Sequence, residues 1–256
     1  MVLRSDDQHI ATLTLNRPQA RNALSQGMIT ALQAQLDAIA QDTSIHVVVL
    51  AGAGPAFCAG HDLKEIRAAG FGPDYAKQLF DDCARLMQGL VSLPQPVIAR
   101  VHGIATAAGA QLVASCDLAV SADNARFATP GVNIGLFCST PMVALTRNLN
   151  HKHAMQMLLT GDLIDAAQAL RFGLINQIVA EADLDAAVTA LASKIASKSR
   201  HTLTMGKAAF YRQAEMPLAQ AYDYARDVMV ANLQARDAQE GIGAFIDKRP
   251  PVWCHS

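Results

Sequence analysis

Apolar and small polar residues alternate along Ile10-Ala-Thr-Leu-Thr-Leu15 and then give way to Asn16-Arg-Pro18, a pattern that predicts a half-buried strand ending in a turn. A helix is expected next: Ser25 stands where an N-cap belongs, and Ile29, Leu32, Leu36 and Ile39 recur on one helical face. Residues 45–50 are short, β-branched and apolar, so they predict a strand buried on both faces that runs into Ala51-Gly-Ala-Gly-Pro55. The same grammar repeats. Residues 96–101 predict a third strand followed by a Gly/Ala-rich turn and a helix, residues 117–121 a fourth, and Phe127 lies on a short fifth. Strand, tight turn and helix in succession imply an α/β fold with mostly parallel pairing. From about Pro141 helical periodicity dominates, with helices expected near 141–149, 151–159, 165–172, 184–197, 200–214, 217–235 and 237–247. The expected division is an α/β core over 1–195 and a helical C-terminal region over 196–256.

Composition narrows the class of function. The 256 residues are 51% apolar and 17% charged, enough to bury a large core. Twenty-one Lys and Arg against 22 Asp and Glu leave no positive excess for phosphate backbones, so nucleic acid is not the expected partner. The five cysteines are odd in number and widely spaced, with no C-x-x-C pair, which fits a reducing compartment and no structural zinc. The first seven residues have neither a secretory nor a transit character, and the uncharged run 103–116 is too short to span a bilayer. A soluble, cytoplasmic protein with no metal and no membrane partner is the expectation.

Several stretches invite chemical readings. Gly52-x-Gly54 follows a buried strand, as a dinucleotide-binding loop does, but its third glycine position is Phe57 and Pro55 interrupts the turn. His151-x-His153 lacks a nearby Cys or carboxylate and reads as a helix start rather than a metal site. No G-x-S-x-G elbow is present. Two other turns share a design: Phe57-Cys-Ala-Gly-His-Asp-Leu-Lys-Glu65 and Gly103-Ile-Ala-Thr-Ala-Ala-Gly-Ala-Gln111 each leave a strand, pass through minimal side chains and enter a helix. The first amides of a helix have no internal acceptor and attract negative charge. If both turns face one point, their N–H groups could grip a carbonyl oxygen that becomes an enolate or oxyanion, at about 3–4 kcal/mol per donor. The alternative is that Gly and Ala only permit tight helix packing.

These stretches, together with Leu15-Asn-Arg-Pro-Gln-Ala-Arg-Asn-Ala-Leu-Ser25, Pro96-Val-Ile-Ala-Arg-Val-His-Gly103, Ser115-Cys-Asp117, Phe127-Ala-Thr-Pro130 and Thr160-Gly-Asp162, strongly resemble the crotonase superfamily, the enoyl-CoA hydratase/isomerase family. The likeness extends to Gln239-Glu-Gly-Ile-Gly-Ala-Phe-Ile-Asp-Lys-Arg249, and residues 105–117 with 127–141 look most like its enoyl-CoA hydratase domain-containing protein 3 group. The resemblance implies a spiral of ββα turns, a helical C-terminal trimerisation region, and a homotrimer or homohexamer. It implies an enzyme of lyase or isomerase type in fatty-acid or acyl-CoA metabolism, with an acyl-CoA or enoyl-CoA thioester as substrate and no other cofactor.

Carried over by position, the family's oxyanion-hole amides fall on His61 and Ala108, beside Gly60 and Gly109. Coenzyme A is held in the family by the loops corresponding to Gln19, Ala20 and Arg21 and to His61, Asp62, Leu63 and Lys64. Arg17, Arg21 and Lys64 are then candidate phosphate contacts, with Phe245 and Lys248 reaching toward a neighbour's coenzyme A. Hydratases of the family place two glutamates around a water, and here those positions are Gln111 and Gly131. Neither can take a proton from water near neutral pH, and each general acid or base is worth about 10²–10⁴ in rate, so ordinary hydration is expected to be severely impaired. The His61 ring is a possible proton carrier, or packs against the acyl pocket with only its amide used. Cys138, near Ser139 on the expected acyl pocket, is a nucleophile or a buried hydrophobe. Asp117 reads as a structural acceptor. The alternatives are decarboxylation of a malonyl-type CoA or other enolate chemistry, and a non-catalytic acyl-CoA-binding regulator.

Overall fold

The computed structural model describes all residues from 1 to 256 and organises them around two sheets. The chain opens with a hairpin of β1 (Val2–Asp7) and β2 (Ile10–Leu15), joined by Gln8 and His9, both at positive φ. That pair of left-handed residues gives the turn a twist matching its strands. Strand β1 was not expected from the sequence. It is an edge strand carrying Arg4, Asp6 and Asp7, and its burial alternates only over its first residues, so the apolar signal is faint. Helix α1 (Gln26–Ala40) begins at Ser25, whose side chain accepts from the Met28 N–H, and buries the expected Ile29, Leu32, Leu36 and Ile39.

From there a strand of the larger sheet is followed by a strand of the smaller one and then by helix. The first turn is β3 (Val47–Gly52), β4 (Ala56–Cys58), α2 (Leu63–Ala68) and α3 (Pro73–Ser92). The second is β5 (Val97–Val101), β6 (Ile104–Thr106) and α4 (Ala108–Ser115). The third is β7 (Leu118–Ala122), β8 (Arg126–Ala128), a 3-10 turn over Pro130–Ile134 and α5 (Ser139–Asn148). This is the ββα spiral implied by the family resemblance. Next come α6 (His151–Thr160), β9 (Ile164–Asp165), α7 (Ala166–Phe172), β10 (Gln177–Val179), α8 (Leu184–Ala196), α9 (Arg200–Gln213), α10 (Leu218–Gln234) and α11 (Arg236–Ile246), so the C-terminal region is helical. Helix α3 is also absent from the sequence expectations, although Leu79, Cys83, Leu86, Met87 and Leu90 form its buried stripe.

The larger sheet runs β1-β2-β3-β5-β7-β10 and the smaller β4-β6-β8-β9; only β1–β2 and β8–β9 pair antiparallel. Strand β3 is buried on both faces, as its uninterrupted apolar run requires. Its Val48 and Leu50 join the main core with Leu13, Leu32, Leu86 and Phe57, whereas Val47 and Val49 pack with Ile98, Val120 and the α8 residues Leu184 and Val188. The C-terminal helices are tied to this core by one buried ion pair. Lys207 of α9 meets Asp117 at 2.7 Å and donates to the Leu90 and Gln95 carbonyls at 3.0 Å, while Asp117 also accepts from the Val97 N–H and the Tyr211 hydroxyl.

Candidate functional site

The two small-residue turns lie side by side because β4 and β6 are adjacent parallel strands and both turns leave their C-terminal ends. Thr106 Oγ1 donates to the Ala59 carbonyl at 3.2 Å across the gap. A Cβ built on Gly109 would stand 2.0 Å from the Cys58 carbonyl oxygen, so α4 can approach β4 this closely only with glycine there. A Cβ on Gly60, where φ is 92°, would stand 2.9 Å from the Ala107 Cβ and 3.4 Å from the Ala108 nitrogen. The two turns are therefore packed tightly against each other, with glycine required at both contact points.

Their N–H groups are left free by the surrounding ladder. Leu24 donates to the Gly60 carbonyl at 2.7 Å and accepts from the Asp62 N–H at 3.1 Å, which turns the intervening His61 N–H to the opposite side, where no main-chain carbonyl receives it. The Ala108 N–H opens α4, and Ala107 supplies no side-chain cap. Ala107 itself has φ 50° and ψ −117°, a strained conformation for a residue with a side chain, held in place by its N–H donating to the Ala128 carbonyl at 2.9 Å.

Asp62 caps α2, accepting from the N–H groups of Lys64 and Glu65, and pairs with Arg17 at 3.0 Å. These partners hold the Asp62 carboxyl below its ordinary range even though burial pushes it upward. Arg17 is thus engaged within the protein, its second terminal nitrogen donating to the Ala23 carbonyl at 3.3 Å. The loop behind it is organised by Asn22, which the sequence reading missed: fully buried, it accepts from the Arg17 N–H and donates to the Ala53 and Ala56 carbonyls. Its signal is a buried amide in a loop whose backbone enters the left-handed region at Arg21 and Asn22. Gln19 and Ala20 lie on the preceding 3-10 turn, and the Arg21 carbonyl receives the Ala59 N–H, fastening this loop to the His61 turn. Arg21, Leu63 and Lys64 are exposed, and neither cation is in an ion pair. Phe245 and Lys248, at the end of α11, have no hydrogen bond or ion pair to these loops.

The two positions that the resemblance matches to the family's glutamates, 111 and 131, hold no carboxylate. Gln111 is buried on α4 with its Oε1 unpartnered, and Thr129 Oγ1, two residues before Gly131, is likewise buried and unpartnered. Gly131 has no room for any side chain: a Cβ would stand 2.5 Å from the Leu136 carbonyl oxygen and 2.9 Å from Cys138 Sγ. Burial pushes the Cys138 thiol up, against a smaller downward pull from the Gly131 main chain, which opposes the nucleophile reading. The His61 ring lies edge-on to Phe80 at 5.3 Å with Nε2 enclosed and unpartnered, and burial brings it down to about 4, so the ring is neutral at physiological pH.

The other motifs resolve into packing. Gly52 and Gly54 turn β3 into a strand, not a helix, so no dinucleotide loop forms. His153 stacks on Phe172 at 4.0 Å. Asp117 is the acceptor at the centre of the Lys207 and Tyr211 network.

This architecture has close counterparts. The human enoyl-CoA hydratase domain-containing protein 3 structure superposes with a TM-score of 0.95 at 46% identity, covering 98% of this chain and 99% of that one. An enoyl-CoA hydratase from Mycobacterium smegmatis gives 0.96 at 51% identity, covering 98% of each chain. In sequence, the Xenopus laevis mitochondrial enoyl-CoA hydratase domain-containing protein 3 is 47% identical across this whole chain and 87% of its own length. The vertebrate relatives of that group are named mitochondrial, which overturns the cytoplasmic expectation. That expectation rested on the first seven residues and on the odd, widely spaced cysteines, and the cysteines mark a reducing environment without naming the compartment. This chain spans 81% to 88% of those relatives' length. The family model for enoyl-CoA hydratase/isomerase matches residues 5–256, and with these likenesses the chain belongs to that family.

Proposed function

We propose that the protein binds an acyl-CoA thioester, receives its carbonyl oxygen between the N–H groups of His61 and Ala108, and stabilises the enolate that forms there. The observation that carries this reading is the pair of acceptor-free amides at the ends of two adjacent parallel strands, brought together by glycines at 60 and 109. Charge developing on the oxygen is met by fixed dipoles that need no reorganisation, which is where most of such a rate gain arises. Exposed Arg21 and Lys64 flank the turns and supply the positive charge for coenzyme A phosphates. Coenzyme A enters as part of the substrate, and no other cofactor is invoked.

A second reading within the same site follows from Gln111 and Gly131. Hydration needs a group that takes a proton from water, and position 131 has neither a side chain nor space for one. Decarboxylation of a malonyl-type thioester needs no such base: the C–C bond breaks, carbon dioxide leaves, its electron pair enters the enolate, and solvent supplies the proton. Incubating the protein with a panel of acyl-, enoyl- and malonyl-CoA thioesters and following products by mass spectrometry separates these outcomes. Conversion of one thioester class identifies the chemistry, saturable binding with no turnover identifies a regulator, and absence of thioester binding refutes the proposal.

A further inference from the structure

Three imidazoles from distant parts of the chain meet beside the larger sheet. His9 is in the β1–β2 turn, His46 precedes β3, and His255 belongs to the segment 250–256 that follows α11. His9 stacks on His46 with ring centroids 4.5 Å apart and planes 11° apart, and His255 packs on the same ring at 4.6 Å. His46 is buried, whereas His9 is exposed and His255 partly so, which gives protons access to the outer rings. His9 Nδ1 lies 2.8 Å from the Ser44 carbonyl and His46 Nδ1 3.2 Å from that of Ala196. His255 Nδ1 accepts from the Arg200 N–H at 3.1 Å, so that nitrogen carries no proton in this arrangement.

The charged neighbours do not compensate a proton on these rings. Arg200 of α9 is a cation acting on His46, Asp42 is engaged by Arg4 and Ser44, and Asp237 of α11 accepts from Ser199 Oγ and from the main chain of Cys254 and His255. No carboxylate hydrogen-bonds to any of the three rings. Burial holds the His46 ring below the ordinary imidazole range, and His255, His9 and Arg200 push it the same way against the Ala196 carbonyl. The rest of the segment is fastened by Trp253 Nε1 to the Ser197 carbonyl at 2.9 Å and by Glu240, which receives the Val252 N–H and pairs with Arg249. The Trp253 indole lies over Gly241, whose missing Cβ would be 3.1 Å from the ring.

We propose that His9, His46 and His255 form a proton-operated clasp that docks residues 250–256 against the core at neutral pH and releases them in mild acid. A proton on His255 Nδ1 abolishes its bond from the Arg200 N–H and sets like charges against His46. The docked arrangement disfavours a proton on the buried His46 ring, so docking is strongest above the ordinary imidazole range of about 6.5 and is lost as pH falls below it.

Trp253 is the only tryptophan, so the full-length protein reports on its own segment. Between pH 8 and 5 its emission is expected to shift to the red, and amide exchange in 250–256, corrected for intrinsic pH dependence, to quicken by about tenfold or more relative to α1. In the double variant His9→Asn with His46→Phe, which keeps an aromatic ring at 46, the transition moves to lower pH or disappears. If that variant does not fold, His9→Asn alone, at an exposed turn, lowers the midpoint. Unchanged exchange in the wild type, an emission change without an exchange change, or an unaltered midpoint in the variants overturns the clasp.

Discussion

At residue 131 the lack of a side chain is a matter of space: the backbone around it leaves no room for one. Adding only a methyl group drives it into the Leu136 carbonyl, so Gly131→Ala is expected to destabilise the protein by about 1–3 kcal/mol, measured by urea unfolding. Restoring a carboxylate by Gln111→Glu tests the catalytic assignment more cleanly, since that side chain already occupies its site. It is expected to raise hydration of crotonyl-CoA by no more than about tenfold, because one carboxylate leaves the attacking water without its second partner. Brisk hydration by the wild type would place the base elsewhere. The neutral His61 ring makes a separate prediction. Its folded-state value is depressed to about 4, so the stability it contributes is present above the ordinary imidazole range and is lost as pH falls from about 6.5 toward 4. Urea midpoints at pH 7 and pH 5 should therefore differ less in His61→Gln than in the wild type.

The packing of α4 against β4 is the element-scale event on which the proposed site depends. Gly109→Ala places a methyl group 2.0 Å from the Cys58 carbonyl and has to push the helix outward, separating the Ala108 and His61 amides. Acyl-CoA affinity is expected to fall at least about tenfold even where circular dichroism shows the fold retained, because amide geometry tolerates little displacement. Helix α9 depends on a different contact. Lys207→Met leaves Asp117 charged and nearly enclosed, with only the Val97 N–H and the Tyr211 hydroxyl to satisfy it, at an expected cost of roughly 3–5 kcal/mol. Pairing that change with Asp117→Asn in a double-mutant cycle should recover part of the loss.

At the scale of the whole molecule, the C-terminal helices leave large apolar side chains uncovered, as does the stretch from Ile134 to Leu170. Phe210, Leu218, Tyr222, Met229, Phe245 and Ile246 are all exposed in the single chain, with Phe245 at 86%. Such a surface marks an association site, and the proposal is that these helices join copies of the chain into a homotrimer or homohexamer. Light scattering at micromolar concentration is expected to give three or six times the chain mass, and a stable monomer would contradict it. The same assembly would decide whether Phe245 and Lys248 approach a neighbour's coenzyme A.

The linear pattern alone was sufficient for β2, α1, the doubly buried β3 and the succession of strand, small-residue turn and helix, because each depends on local periodicity and capping. It also marked the small residues at 59–60 and 107–110, whose tight packing the structure shows, whereas His61 and Ala108 were assigned through the family resemblance. It did not reveal β1, whose charged edge lacks a strong alternation, nor α3, whose apolar stripe went unread between two stronger signals. Only the tertiary structure decided what depends on partners distant in sequence. Asn22 acquires its role from carbonyls 31 and 34 residues away, and Lys207 from an aspartate 90 residues earlier. Arg17 reads as a free cation in the sequence, but folding sets Asp62 against it. Gly131 reads as a lost side chain, but the Leu136 carbonyl and Cys138 sulfur close around it and determine that none can be added. Periodicity encodes which face of an element is buried, but the atoms that meet that face are chosen when the sheets and helices close on one another.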